Sequence, residues 1–172
     1  YFLVPILYKR ADAIITNSKS AKINLQRLCK MKVINISPPS LIKFKSKKNK
    51  INKKKIYTVI TVGSLVKPKG VDTMIKAFNE IKLNNVILKV LGDGKEKNNL
   101  EKMIHEYGLE KRVFLLGRIK NTEKIYQSSD LFIHASHQEG FPNAIVEAIN
   151  YNLPVICSNC KGGTKEIILN GR

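Results

Sequence analysis

The segment Asp130–Ala148, DLFIHASHQEGFPNAIVEA, decides the fold. Asp130–His134 is an apolar run with branched and aromatic side chains, which is typical of a buried strand. Pro142 suits the first turn of a helix, because it has no N–H to leave unbonded and its φ is already helical. We therefore predict a strand, a glycine-containing loop and a helix over Ala144–Tyr151. The free N–H groups where such a loop meets a helix form an anion-binding site.

Two carboxylates frame this loop. Glu139 lies in the loop itself, and Glu147 lies just behind the first turn of the helix. A carboxylate accepts two hydrogen bonds from neighbouring hydroxyls, so the pair suits a sugar or ribose better than a phosphate. The pattern predicts a phosphate-binding loop flanked by two hydroxyl-binding groups. The alternative is an ordinary strand–helix connection whose glutamates are solvated.

Around this segment, strands and helices alternate from residue 56 onward. The predicted strands are Ile56–Val62, Val86–Leu91, Arg112–Leu116, Asp130–His134 and Pro154–Cys157. The predicted helices are Val71–Ile81, Glu96–Tyr107, Thr122–Gln127 and Ala144–Tyr151, with a last helical turn near Lys165–Leu169. This alternation predicts an α/β fold, a Rossmann-like parallel sheet with helices on both faces. Ligands of such sheets bind at the carboxyl ends of the strands, where the glycine-rich loops lie.

The first 42 residues carry shorter elements. Residues 3–10 are predicted as the end of a helix, followed by a strand at Ala13–Thr16. Ser18 is a favourable N-cap for a helix that runs to about Cys29. A second short strand, Val33–Ile36, is stopped by two prolines.

A lysine-rich segment, residues 43–55, separates the two blocks. Like charges at this density repel one another and cannot bury a core, so we predict a solvated linker. The same lysines would suit contact with an anionic membrane, where each contributes about 1 kcal/mol.

The composition bounds the class of protein. The chain has 172 residues, of which 43% are hydrophobic, enough for the core of one domain. Its formal net charge of +18 indicates an anionic partner: nucleic acid, a membrane surface or a phosphorylated substrate. Nucleic-acid readers favour arginine and interleaved aromatic residues, and this chain has neither pattern. We therefore predict no nucleic-acid binding.

Cys157 and Cys160 form a single C-x-x-C pair. A metal site would need a second pair or histidines at ligand spacing, and the three histidines do not supply that. A redox pair is the other reading, because such a pair also follows a strand. We predict structural or surface thiols and no metal site.

The decapeptide EGFPNAIVEA begins at Glu139 and has Glu147 as its ninth residue. It resembles the paired-glutamate motif of retaining glycosyltransferases of family 4, which have the GT-B fold. The resemblance implies that residues 1–42 are the tail of the N-terminal acceptor domain and 43–55 a linker. Residues 56–172 would then be the C-terminal nucleotide-sugar-binding domain, truncated at its C-terminus. Such enzymes react in the cleft between two domains, which implies a fragment that transfers no sugar alone.

Other loops resemble parts of the same family. The loop after the first long strand looks like the one that supplies an arginine and a lysine to the donor diphosphate. Lys69 and Gly70 stand in the expected places, whereas the arginine position is occupied by Ser64. The remaining residues that the resemblance assigns to donor binding are Gly63, Gly92, Asp93, Gly117, Arg118, Gly140, Phe141 and Asn143.

The resemblance implies transfer of a hexose or N-acetylhexosamine from a nucleotide-sugar, most like a UDP-sugar, to a hydroxyl of a glycan or lipid-linked acceptor. Glu139 would hold the sugar, Lys69 the diphosphate and Glu147 the ribose. No cofactor and no metal are implied. The setting would be bacterial surface-polysaccharide synthesis in the cytoplasm, including the inner face of the membrane. A nucleotide-sugar epimerase of the same fold and a non-catalytic nucleotide or polyanion binder remain as alternatives.

Overall fold

The computed structural model describes residues 4–8, 10–29, 31–36 and 56–168. The chain divides into two compact units. The first unit comprises Tyr1–Ser40, Gln138–Asn143 and Asn159–Arg172, and the second comprises Leu41–His137 and Ala144–Ser158. The lysine-rich segment 43–55 lies outside the described residues, so its role as a linker stays a prediction.

The predicted helices and strands occur in the predicted order, with ends that differ from the prediction by at most two residues. A short 3₁₀ helix lies in the segment 63–70, which was predicted as a loop. The elements are α1 (Val4–Tyr8), β1 (Ile14–Thr16), α2 (Lys19–Cys29), β2 (Val33–Asn35), β3 (Tyr57–Val62), a 3₁₀ helix (Lys67–Lys69), α3 (Val71–Glu80), β4 (Val86–Leu91), α4 (Lys97–Glu106), β5 (Val113–Gly117), α5 (Glu123–Ser128), β6 (Leu131–His134), α6 (Asn143–Asn150), β7 (Val155–Cys157) and α7 (Thr164–Ile167).

The second unit is built on a parallel sheet of strand order β5-β4-β3-β6-β7. Every neighbouring pair is parallel, which confirms the predicted sheet. Val59 and Ile60 are consecutive residues of β3 and only 5% and 0% exposed. Consecutive strand residues point to opposite faces, so both faces of the sheet are covered at β3.

Strand order also locates the part of the sheet that can bind a ligand. From β3 the chain proceeds to β4 on one side, and β6 later pairs with the other side of β3. The carboxyl ends of β3 and β6 therefore flank a topological switch point, where sheets of this type bind ligands. On one face, α3 and α4 pack over the sheet through buried Ile75, Phe78 and Leu100, which fixes the loops that lead into these helices.

In the first unit, β1 and β2 form a two-stranded parallel sheet, with Ile14 paired to Val33. The N-terminus of α2 is capped from two directions. Ser18 Oγ accepts a hydrogen bond from the Ala21 N–H at 3.2 Å, which confirms the predicted N-cap. Glu166 Oε1 accepts hydrogen bonds from the N–H groups of Lys19 at 2.8 Å and Ser20 at 3.3 Å. These contacts satisfy three of the donors that a helix leaves open.

Replacing Glu166 by alanine should loosen the first turn of α2. The carboxylate serves as a distant cap and complements the positive helix end, so its loss should cost about 1 kcal/mol of unfolding free energy. Amide exchange at Lys19 and Ser20 should become faster. Urea unfolding and hydrogen exchange measure the two effects, and Lys165→Ala, which removes an exposed neighbouring side chain, is the control. Unchanged exchange in Glu166→Ala would show that the cap contributes nothing.

Candidate functional site

Three loops of the second unit are joined at the carboxyl ends of β3, β4 and β5. The N–H of Gly63 donates to the Leu91 carbonyl at 2.9 Å, and the N–H of Gly92 donates to the Gly117 carbonyl at 2.8 Å. One step further, the N–H of Leu65 donates to the Asp93 carbonyl at 3.0 Å. These bonds extend the strand pairing into the loops, so the loops form a rigid edge above the sheet.

This edge lines a cavity of about 440 Å³ that is open to solvent. Five of the predicted site residues line it: Gly63, Ser64, Gly92, Asp93 and Arg118. Lys120 and Thr122 also line it, and the sequence analysis did not assign them to the site. Lys120 could have been found, because it forms a basic pair with Arg118 on the two sides of Ile119. Two cations, two hydroxyls and one carboxylate converge here, and they suit a ligand that carries both anionic groups and hydroxyls.

Glycine at position 92 is required by the packing of these loops. Its φ of +140° lies in a region that side chains rarely adopt. A Cβ built at this position would overlap the carbonyl oxygen of Gly63. The close approach of the two glycines therefore shapes the floor of the cavity.

The loop that carries Lys69 lies beside the cavity. Lys69 ends the 3₁₀ helix, and its Cδ atom lies 3.9 Å from a Cβ built on Gly63, so its stem passes over that glycine. Gly70 adopts a left-handed φ of +63° against the Ala135 backbone. The N–H of His137 donates to the Pro68 carbonyl at 2.8 Å, which ties this loop to the segment after β6.

Glu147 lies in the middle of α6 with an exposed side chain. Its Oε2 atom accepts a hydrogen bond from the Tyr126 hydroxyl at 3.0 Å. Sequence reasoning placed residue 126 in a short helix and gave it no role. Its pairing with Glu147 spans 21 residues and has no local sequence signal.

In the first unit, Glu139 lies in a loop that packs against the loop around Lys161. Gln138 and Lys161 form an isolated parallel bridge, and the N–H of Glu139 donates to the Lys161 carbonyl at 3.1 Å. A Cβ built on Gly162 would overlap the Glu139 carbonyl, so only glycine allows the two loops to pack this closely. The half-buried Glu139 side chain thus stands on a fixed backbone.

The neighbours of Glu139 differ in exposure. Gly140 is exposed and its carbonyl accepts a hydrogen bond from the Gly163 N–H at 2.9 Å, whereas Phe141 is half-buried. Asn143, which is exposed, is the first residue of α6, one residue earlier than predicted, and Pro142 directly precedes the helix. The predicted sequence of strand, loop and helix is confirmed.

The cysteines are thiols in this structure, and Cys29 and Cys160 are buried. Cys160 Sγ lies 3.1 Å from Thr164 Oγ1, a contact that fits a structural role. Within the described residues, no three potential metal-ligating side chains cluster together. None of the described helices is both long enough and apolar enough to cross a membrane.

The family model of the group 1 glycosyl transferases matches residues 42–172, a range that includes the cavity and both glutamates. The chain belongs to this family. Its parallel sheet is that of GT-B glycosyltransferases. The GT-B part of the predicted resemblance is therefore confirmed.

Individual relatives agree with this assignment. The chain is 31% identical over 173 residues to a Campylobacter jejuni enzyme named N-acetylgalactosamine-N,N'-diacetylbacillosaminyl-diphospho-undecaprenol 4-alpha-N-acetylgalactosaminyltransferase, covering 96% of this chain and 46% of the relative. It is 40% identical over 114 residues to an uncharacterized glycosyltransferase of Methanocaldococcus jannaschii, covering 65% of this chain and 28% of the relative. The chain thus spans less than half the length of these curated relatives.

Among solved structures, the chain resembles the Anabaena protein Alr3699/HepE in complex with UDP-glucose. The TM-score is 0.78 and the sequence identity 26%, over 94% of this chain and 49% of that protein.

Proposed function

We propose that this chain is the donor-binding part of a retaining glycosyltransferase of family 4. The enzyme transfers a hexose or N-acetylhexosamine from a UDP-sugar to a hydroxyl of a glycan or lipid-linked acceptor in surface-polysaccharide synthesis. The observation that carries the proposal is the cavity of about 440 Å³ at the carboxyl ends of β3, β4 and β5, in a group 1 glycosyl transferase. Its cationic and hydroxyl groups suit a nucleotide.

The comparisons support the choice of substrates. The Anabaena structure contains UDP-glucose, and the name of the Campylobacter jejuni relative includes a diphospho-undecaprenol acceptor. We extend these two substrate classes to this protein. A working site then needs an acceptor domain, of which residues 1–42 would be the tail, so the 172 residues alone should transfer no sugar.

Each proposed residue has a distinct task. Lys69 and the amides at the start of α6 stabilise the charge that develops on the departing diphosphate. Glu139 holds the hydroxyls of the transferred sugar, and Glu147 accepts hydrogen bonds from the ribose. Ser64 donates a hydrogen bond at the position where the resemblance implies an arginine. Neither a metal ion nor a cofactor has a role in this proposal.

The proposed setting is the cytoplasmic side of the membrane. The net charge of +18 favours attraction to anionic lipid headgroups, close to a lipid-linked acceptor. An epimerase with the same fold would convert the UDP-sugar without an acceptor. Analysis of the products formed from UDP-sugars with and without acceptor separates the two reactions.

Replacing Glu147 by alanine in the full-length enzyme tests the donor assignment. Ribose does not change during transfer, so Glu147 binds the ground and transition states equally and its loss should raise donor KM with little change in kcat. A hydrogen bond to a charged group contributes about 1.5–3 kcal/mol, which corresponds to a roughly ten- to hundredfold rise. Steady-state kinetics measures the rise in donor KM. The control is Glu101→Ala, which removes an exposed carboxylate of α4. A lower kcat at unchanged KM would contradict the assignment.

A further inference from the structure

Tyr126 is a fully buried tyrosine beside an exposed glutamate. It lies on α5 with 0% exposure, and its hydroxyl donates to Glu147 Oε2 at 3.0 Å. A buried phenol needs a hydrogen-bond partner, and the core could have been filled by phenylalanine without that requirement. The hydroxyl therefore calls for an explanation beyond packing.

The ring of Tyr126 is held on two sides. It stacks on Phe132 of β6 with a centroid distance of 6.1 Å and on Tyr151 with a centroid distance of 5.2 Å. The planes are inclined by only 25° and 12°. A ring confined in this way has little freedom, so its hydroxyl is a fixed point in the structure.

Glu147 has the opposite character. An exposed glutamate samples several rotamers, and ordering such a side chain on binding costs about 0.5–1.5 kcal/mol. The hydrogen bond from a fixed hydroxyl restricts that sampling before any ligand arrives. A carboxylate has about four acceptor positions, so the bond from Tyr126 leaves room for two ligand hydroxyls.

Tyr126 is also suited to act as a permanent donor. Burial, and then the charge of Glu147, raise the pKa of Tyr126 well above the ordinary value of a tyrosine. The phenol therefore keeps its proton throughout the physiological range of pH, and the direction of the hydrogen bond does not reverse.

We propose that Tyr126 is a positioning residue for the donor site: its hydroxyl holds Glu147 in the rotamer that accepts hydrogen bonds from the ribose hydroxyls. This inference rests on the proposed function of Glu147. Tyr126 does not touch the nucleotide; it acts through the carboxylate. Its contribution should therefore appear only with ligands that carry ribose hydroxyls.

The test compares UDP with 2',3'-dideoxy-UDP as ligands of the full-length protein. Tyr126→Phe keeps the stacked ring and removes only the hydroxyl. Calorimetry should show a dissociation constant for UDP that rises about five- to tenfold, because Glu147 must now be ordered on binding. The dissociation constant for the dideoxy ligand should stay within twofold of the parent. With a UDP-sugar as substrate, donor KM should rise while kcat is retained.

Tyr151→Phe is the matched control. It removes a hydroxyl from the same aromatic stack but leaves the Tyr126–Glu147 hydrogen bond intact, so both dissociation constants should match those of the parent. Equal weakening of UDP and dideoxy-UDP by Tyr126→Phe would indicate a packing defect and overturn the inference. No weakening of either ligand would overturn it as well.

Glu147→Ala separates this inference from the proposed function. It should weaken UDP binding more than Tyr126→Phe does and have no effect on the dideoxy ligand. If Glu147→Ala meets this expectation and Tyr126→Phe does not, the positioning role fails and the ribose assignment survives. If Glu147→Ala leaves UDP binding unchanged, or the parent does not bind UDP, the proposed function itself is wrong.

Discussion

Replacing Glu139 by alanine in the full-length enzyme is expected to lower kcat by roughly a hundred- to a thousandfold, with a much smaller change in donor KM. The proposed function places this carboxylate on the sugar that moves and gains positive charge. A carboxylate can accept from two hydroxyls, and each such bond contributes about 1.5–3 kcal/mol. Loss of orientation at the reacting centre adds to the effect, because misplacement by about 1 Å can cost a hundredfold.

The backbone of residue 139 is held by contacts that alanine can also make. The loop around Glu139 is held through its backbone: its N–H donates to the Lys161 carbonyl at 3.1 Å, and its carbonyl packs against Gly162. Alanine keeps both contacts. These two backbone contacts do not depend on the carboxylate.

Two further variants sharpen the result. Glu139→Gln should recover part of the rate, since an amide keeps one acceptor oxygen but loses the charge. Gln138→Ala removes an exposed side chain next to it and should behave as the parent. Steady-state kinetics with saturating acceptor measures all three. Normal turnover by Glu139→Ala, or an effect confined to donor KM, would contradict the assignment.

The sheet could be predicted because its signals are local. Buried parallel strands read as short apolar runs, and glycine marks the loop after β3, β4 and β5. Each of those loops follows a parallel strand, and the carboxyl ends of parallel strands share one edge of the sheet. The loops are therefore expected to lie together. Five predicted residues do line one cavity there, Gly63, Ser64, Gly92, Asp93 and Arg118.

What the sequence did not reveal depends on contacts between distant residues. Glu166 caps α2 from 147 positions away, and Tyr126 reaches Glu147 across 21 positions. Hydrophobic periodicity indicates only that Tyr126 is a core residue. Nothing in the sequence around Glu166 in α7 indicates that it caps α2. The exact helix start was also missed by one residue at Asn143, because capping geometry decides it.

Gly92 provides the second large expected effect. Gly92→Ala should destabilise the protein by about 4 kcal/mol or more and abolish UDP binding. Two costs add: alanine resists a φ of +140°, and its Cβ would overlap the Gly63 carbonyl. The Cβ position is set by the backbone of residue 92, and the carbonyl belongs to the backbone of Gly63. The loop hydrogen bonds hold both segments in place, so the clash cannot be relieved by turning a side chain. Relief requires the two loops to separate, which opens the cavity floor.

Gly108→Ala is the control for a positive φ without the overlap. Gly108 also has a positive φ, +61°, but a Cβ built there has no neighbouring atom within 4 Å. Its substitution should cost only the backbone term, about 1–2 kcal/mol, and leave UDP affinity unchanged. Urea unfolding and calorimetry on the two variants give the comparison. If Gly92→Ala were no more destabilising than Gly108→Ala and still bound UDP, the close approach of Gly63 and Gly92 would not shape the donor cavity. A difference of about 2 kcal/mol or more, together with lost UDP binding, is the result that the overlap of two fixed backbones requires.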